Sequence, residues 1–268
     1  MENKIIDTIT FFQENRHFEL RFNILKDVVD KFIICESIYD HRGNSKTINF
    51  DKEKYKNNVK IEHLIIKEKF PENNDPWINQ AIQREYILNN LNGVSEDDYI
   101  MFSDPDEIPN PKILKNLNLK KKYGIFSQKI FSYKLNLLNP NETPWEGTRI
   151  CKKKDLKSID WLRHKVLKKN LKYPFWRFDK EKNIQIIEDG GWHFSYLLKP
   201  EEIAKKFKSL AEVSWDNEKF SNLDVIKKKI NERIDLFNRG HVYTKVELDE
   251  SFPDYILKNK DNLKEWII

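Results

Sequence analysis

Tyr99-Ile100-Met101-Phe102-Ser103-Asp104-Pro105-Asp106-Glu107 is the stretch on which the reading of this chain turns. Its first four residues form a short apolar run of the kind a buried strand shows, and an acidic loop comes directly after. In an open α/β sheet, ligands bind beyond the carboxyl ends of the strands, so the loop stands where a site belongs. Asp104 and Asp106 are one residue apart. In extended or turning backbone such residues can face the same side and converge on a hard divalent cation. Pro105 stiffens the segment between them, and Pro109 and Pro111 restrain the backbone on its C-terminal side. A bound Mg²⁺ or Mn²⁺ would relieve the repulsion of the two carboxylates and in turn grip a diphosphate. Asp and Pro also make ordinary solvated turns for local reasons; the apolar run before the loop is what favours a site.

Upstream, residues 4–11 read as a strand, and Phe18, Phe22, Leu25 and Val29 recur as one face of an amphipathic helix. Residues 31–36 (KFIICE) then form a continuous apolar run, which completes a βαβ unit. A third strand is expected over 59–66. Asp75-Pro76 supplies an N-cap and first-turn proline for a helix ending near Gly93, and Asn110-Pro111 opens another by the same chemistry. Residues 123–138 read as one or two long strands, with a further strand near 149–152. The last third carries the Gly190-Gly191 turn, a strand over 192–196 and lysine-rich helices at about 200–212 and 224–238. The pattern predicts an α/β fold with a central, mostly parallel sheet, helices on both faces and a mixed C-terminal extension. One domain over 1–268 is expected, in parts of about 1–120, 121–200 and 200–268.

Composition narrows the class. The apolar fraction is 39% and the charged fraction 34%, but 17 Phe, 10 Tyr and 7 Trp along 268 residues are not the mark of a disordered chain. The 48 basic residues are interleaved with 43 acidic ones, leaving +5. That argues against a dedicated nucleic-acid or membrane surface, while Lys120-Lys121-Lys122 and Lys152-Lys153-Lys154 leave peripheral membrane contact open. Cys35 and Cys151 lack the spacing of a zinc site or a disulfide framework, which fits a reducing cytoplasm. No leader-like start and no apolar run of about 20 residues is found, so a soluble, unprocessed cytoplasmic protein is expected.

Five blocks together resemble glycosyltransferase family 17. They are Asp7-Thr8-Ile9-Thr10-Phe11-Phe12-Gln13-Glu14, Glu19-Leu20-Arg21, Val29-Asp30-Lys31-Phe32-Ile33-Ile34-Cys35-Glu36, Ser103-Asp104-Pro105-Asp106-Glu107-Ile108-Pro109 and Gly191-Trp192-His193-Phe194-Ser195-Tyr196. They fall in the family's order and reach from residue 5 to about 200. The resemblance implies a GT-A-like nucleotide-sugar-binding fold, a UDP-sugar donor (UDP-GlcNAc in the known activity), a glycan acceptor, a divalent cation and inversion at the anomeric carbon. Two departures stand out. Pro105 replaces the more usual small aliphatic residue, which matters little to a metal. The lack of a membrane anchor bears on whether the acceptor is a glycoprotein.

Under that resemblance Asp104, Asp106 and His193 are the expected metal ligands, since a late histidine commonly completes such sites. By its residue context alone His193 reads more readily as a hydrogen-bonded core imidazole, and it is the resemblance that reverses this. An O,O,N set would suit Mn²⁺ better than Mg²⁺. Inversion needs a base for the acceptor hydroxyl, for which Asp189 and Glu146 are the candidates. Glu36 closes a parallel strand and is placed to hold the nucleoside; Gln80, Gln83 and Arg84 share a helix face, and Gln83 and Arg84 are expected at the donor with Asp104. Trp145 and Trp192 are candidates to stack on an acceptor sugar, or are core tryptophans. Arg149 and Arg163 are candidates, among 48 basic residues, to neutralise a leaving diphosphate. Two other classes compete: a metal-dependent phosphoryl transferase or nuclease, against which stands the absence of a Walker A motif or a second acidic cluster, and a non-catalytic carbohydrate-binding or nucleic-acid-binding protein using the C-terminal helices, whose interspersed glutamates favour a solvated face instead.

Overall fold

The computed structural model describes residues 3–268 except 73, 74, 210, 213 and 215. Along the chain run β1 (Ile5–Phe11), α1 (Asn15–Leu25), β2 (Lys31–Ser37), β3 (Ile61–Ile66), α2 (Pro76–Leu88), β4 (Tyr99–Ser103), β5 (Glu107–Pro109) and α3 (Pro111–Lys115). Then come β6 (Tyr123–Ser132), β7 (Leu137–Leu138), β8 (Trp145–Lys152), α4 (Ile159–Lys165), β9 (Ile184–Ile187), β10 (Gly191–Ser195), α5 (Pro200–Phe207), α6 (Glu218–Ser221), α7 (Leu223–Glu232), β11 (Thr244–Lys245) and α8 (Asp254–Lys258).

These strands form one sheet in the order β3-β2-β1-β4-β8-β6-β7-β11, with β9 and β10 alongside β6 and β5 beside β10. β1 pairs in parallel with both β2 and β4, and β2 with β3. β8 runs against both β4 and β6, so β6 regains the direction of the first four strands. β9 and β10 run parallel to β6. The architecture is α/β with a central, mostly parallel sheet, as the pattern of the residues predicts.

Period-two alternation divides the core between the two faces. Ile5, Ile9 and Phe11 of β1, with Phe32 and Ile34 of β2, pack beneath α1 and α8 through Phe18, Leu25 and Ile256. Ile6, Ile33, Cys35, Ile100 and Phe102 face the other way, against Ile87 of α2 and Ile159 and Leu162 of α4. Helices thus cover both faces. Burial of side chains of this size stabilises the sheet by about 1.5–3 kcal/mol each.

The proline-led caps form as expected: Trp77 N–H donates to Asp75 Oδ1 at 2.9 Å and Lys112 N–H to Asn110 Oδ1 at 3.0 Å. Several boundaries differ from expectation. β3 begins at Ile61 because Asn58 ties the preceding turn, accepting from Lys60 N–H and Ile61 N–H. α2 stops at Leu88, with Gly93 in a later turn at φ +71°. α7 ends at Glu232 because Arg233 turns left-handed, at φ 58°. The first lysine-rich helix ends at Phe207, and its expected reach past 209 touches residue 210, outside the described residues. α4 has no counterpart in the apolar periodicity; its start is capped by Ser158, whose Oγ accepts from Trp161 N–H at 3.0 Å. No helix among the described residues is long and apolar enough to cross a membrane.

Candidate functional site

The acidic loop is held from beneath. Arg21, fully buried on α1, donates from Nε to Asp7 Oδ2 at 2.6 Å and from Nη2 to Asp7 Oδ1 at 2.5 Å. The same guanidinium reaches Ser103 Oγ at 2.8 Å and the carbonyl of Glu107, at the two ends of the loop. Ser103 Oγ also meets Thr148 Oγ1 of β8 at 2.7 Å. Asp7 on β1 and Arg21 on α1 therefore set where the loop leaves the sheet.

Above this strut the two aspartates part company. Asp104 Oδ2 accepts from Arg163 Nη2 at 2.5 Å, and Arg84 Nη2 lies 3.9 Å from its Oδ1. Burial alone would raise the Asp104 carboxyl, but Arg163 and Arg84 hold it below the usual range. Arg163 also grips Glu107 with both amino groups, at 2.8 and 3.0 Å, and Trp145 Nε1–H donates to Glu107 Oε1 at 2.7 Å. Arg84 is itself held by Asp160, at 2.9 Å.

Asp106 faces a different set. His193 Nε2 lies 3.4 Å from Asp106 Oδ1. The pairing of β10 with β5 places His193 opposite Glu107, and Phe194 N–H donates to the Asp106 carbonyl at 2.8 Å. Gly191 makes that approach feasible: at φ +127°, a Cβ there would collide with the Ile108 carbonyl. Burial opposes the charge on Asp106, but His193 outweighs it and the carboxyl sits far below its ordinary value. Burial likewise opposes protonation of His193, and Asp106 reverses the balance upward. Lys206 of α5 stands beside Glu14 at 3.4 Å; burial would neutralise it, but Glu14 and Asp106 raise it. His17, buried beneath, meets the Phe194 carbonyl at 2.9 Å.

Asp104, Asp106 and Lys206 open onto a cleft of about 440 Å³. One wall comes from the N-terminal half and includes Phe12, Tyr39, His41, Gln80 and Gln83; the other comes from the C-terminal half and includes Glu142, Trp145, His193, Tyr196 and Phe237. The Trp145 ring lies 5.0 Å from that of His193.

A divalent cation suits part of this site. Asp106 and His193 offer one oxygen and one nitrogen in close approach, and the buried His193 Nδ1 has no hydrogen-bond partner among the described residues. Asp104 is tied to Arg163, and no group of three His, Cys, Asp or Glu side chains among the described residues forms a metal cage. The residues present fit a cation held by two protein ligands, with its remaining positions left to water or to oxygens of a bound ligand.

The other expected residues divide between the cleft and the interior. Glu36 is fully buried and accepts from Lys46 Nζ at 2.6 Å, Asn49 N–H at 2.7 Å and Phe50 N–H at 3.1 Å, so it pins a loop; Lys46, not Glu36, lines the cleft. Gln83 lines the cleft, bridging the Cys35 carbonyl and His41, each at 2.8 Å. Glu146 does not line it, because alternation along β8 sends Trp145 inward and Glu146 toward Lys168 N–H and Arg149. Asp189 lines a second cavity with Asn110, Lys112 and Ser251. Trp192 lines that cavity too and packs in the core, its Nε1–H donating to the Ser251 carbonyl at 3.1 Å. Arg149 is turned to the Glu146 and Gly147 carbonyls and held down at about 10, by burial and then by Arg163. Lys206 and Glu142 are site residues that sequence reasoning misses. Neither lies in a motif, and their spacing carries no signal. Asp7 and Arg21 do lie in two of the quoted blocks, and that is the one sequence signal of the strut.

Comparison with known proteins places these features in context. The profile of glycosyltransferase family 17 matches residues 1–137. The β-1,4-mannosyl-glycoprotein 4-β-N-acetylglucosaminyltransferases of Rattus norvegicus and Homo sapiens are each 29% identical over 117 residues, 40% of this chain. The match takes in 22% of each relative, so this chain spans about a fifth of the length of the curated relatives it matches. Among solved structures, glucosyl-3-phosphoglycerate synthase from Mycobacterium tuberculosis aligns over 95% of this chain and 91% of its own, with 11% identity and a TM-score of 0.37. A glycosyltransferase involved in glycosylating the major capsid of PBCV-1 aligns over 69% and 82%, with 9% identity and a TM-score of 0.31.

Proposed function

Because this chain belongs to glycosyltransferase family 17, we propose that its cleft binds a nucleoside-diphosphate sugar, UDP-GlcNAc by the family resemblance, and transfers the sugar with inversion to a glycan hydroxyl. The observation that carries the reading is the meeting of Asp106, His193 and Lys206 at a cleft whose two walls come from different halves of the chain. The N-terminal wall, with Phe12, Tyr39, Lys46 and Gln83, takes the nucleotide. The C-terminal wall, with the rings of Trp145, Tyr196 and Phe237, takes the acceptor sugar.

Asp106 and His193 would hold a divalent cation, Mn²⁺ in preference to Mg²⁺ because of the imidazole donor. When bound, it neutralises charge developing on the leaving diphosphate. Lys206 adds a second positive charge from α5, kept protonated by Glu14. Asp104 is a donor-side carboxylate whose orientation Arg163 and Arg84 set. As the acceptor oxygen bonds to the anomeric carbon and the bond to the diphosphate oxygen breaks, the acceptor proton must pass to a base. Glu142, which accepts from Arg239 Nη1 and Asn139 Nδ2 at 2.7 Å each, is the one carboxylate that the C-terminal half contributes to the cleft wall among the described residues. We assign it that role, in preference to Asp189 and Glu146.

The test is transfer from UDP-GlcNAc with Mn²⁺ to a panel of glycan acceptors, read by product mass, alongside thermal unfolding with UDP and Mn²⁺. Saturating ligand at a hundred times its Kd should stabilise the wild type by about 2.7 kcal/mol and leave Asp106→Ala unshifted. Glu142→Gln should lower kcat by about 10²–10⁴-fold with UDP affinity intact, while Asp189→Asn and Glu146→Gln stay near wild type. A wild type that neither gains stability nor turns over any sugar nucleotide would sink the reading.

A further inference from the structure

The segment after α4 is built unlike the rest of the surface. Phe175, Trp176 and Phe178 are 81%, 61% and 90% exposed within four residues. Large apolar rings grouped this way on a soluble surface mark an interaction site, whereas scattered single ones need no explanation. The backbone that carries them is nevertheless well tied. Buried Asn170 donates from Nδ2 to the Lys165 carbonyl at 2.6 Å, Arg177 forks onto Asp179 with two bonds of 2.7 Å, and Lys182 Nζ reaches the Pro174 carbonyl. Arg177 and Lys180 also lie over the Tyr173 ring, at 5.3 and 5.5 Å. The rings are therefore held out from an ordered loop.

Charge says what they face. Residues 168–182 contain six Lys or Arg and two carboxylates. Asp179 is taken by Arg177 and Lys180, and no carboxylate among the described residues lies within ion-pair range of Lys169 or Lys172. Exposed aromatic tips beside two lysines without a carboxylate partner, in a segment of net positive charge, match a bilayer interface, where Trp and Phe sit at the headgroup level and lysines meet anionic phosphates. An acidic protein would match the cations but has no need of three protruding rings.

We propose that the 168–182 loop docks this protein peripherally on an anionic lipid surface. The loop is joined to the cleft wall: Lys168 N–H donates to Glu146, the neighbour of cleft-lining Trp145, at 3.0 Å. Docking would bring the C-terminal wall of the cleft near the lipid headgroups. The inference does not depend on glycosyl transfer.

The test uses the full chain in co-sedimentation with phosphatidylcholine vesicles with and without phosphatidylglycerol. The wild type should bind the phosphatidylglycerol vesicles at least about tenfold more strongly and lose binding as salt rises. The Phe175→Ser/Trp176→Ser/Phe178→Ser variant should lose that binding with its unfolding midpoint unchanged, and Lys169→Glu/Lys172→Glu should weaken it by at least about tenfold. Wild-type binding that ignores phosphatidylglycerol, or that matches the triple-serine variant, would overturn the proposal. So would a lipid-free dimer in sedimentation velocity that the triple variant abolishes, since the rings would then cover a second copy.

Discussion

Asp7–Arg21 beneath the acidic loop and Asp104–Arg163 at its mouth each join a carboxylate to a guanidinium at 2.5 Å, yet their surroundings differ. The lower pair is 1% and 0% exposed and is closed off by Ser103 and the Glu107 carbonyl. In the upper pair Asp104 is 34% exposed and faces the cleft. A dry pair of this kind has one stable arrangement, because either partner left alone is a buried charge without solvent. A pair at the edge of water can exchange one partner for a ligand at small cost. The lower pair sets where the loop stands, and the upper one sets which charge the loop presents.

The buried pair is most sensitive at Arg21. Arg21→Met should destabilise the fold by about 3–5 kcal/mol in urea unfolding, and adding Asp7→Leu should recover much of that, since the uncompensated charge is removed. A single substitution costing under about 1 kcal/mol would mean that the pair is no anchor. Arg163→Gln should cost less, about 2–3 kcal/mol, because Glu107 keeps its Trp145 donor and Asp104 is screened by water. Its larger effect should be on UDP affinity, measured by calorimetry; an unchanged affinity would show that Asp104 is merely structural. Smallest is Trp145→Phe, which removes one hydrogen bond to Glu107 and should lower stability by about 1.5 kcal/mol. If it matched Arg163→Gln in unfolding, the guanidinium would contribute little to holding Glu107.

Much of this frame was legible in the residues. The apolar run before Asp104 placed the loop after a strand, and Asp75-Pro76 and Asn110-Pro111 announced two helix starts through their own cap chemistry. The partners of the loop were not legible. Arg163 contacts Asp104 across 59 residues on a helix whose periodicity was too short to read, and Glu142 and Lys206 join the wall from separate elements. Glu36 looked like a ligand contact from its position at a strand end but is turned into the interior, where it meets backbone groups and Lys46, while Trp192 takes the core alternative. The charge balance of the whole chain also hid the 168–182 loop, since a sum over 268 residues averages away a local excess.

The βαβ start, the acidic loop behind its strand and the family are written in the residues, because apolar periodicity, cap residues and ordered motif blocks are properties of neighbouring residues. That Asp104 and Asp106 look to different partners, Arg163 for one and His193 for the other, follows from the folded arrangement alone. Side chains one residue apart share a loop, but their electrostatics come from elements folded in from far along the chain, and spacing alone carries no record of those distances.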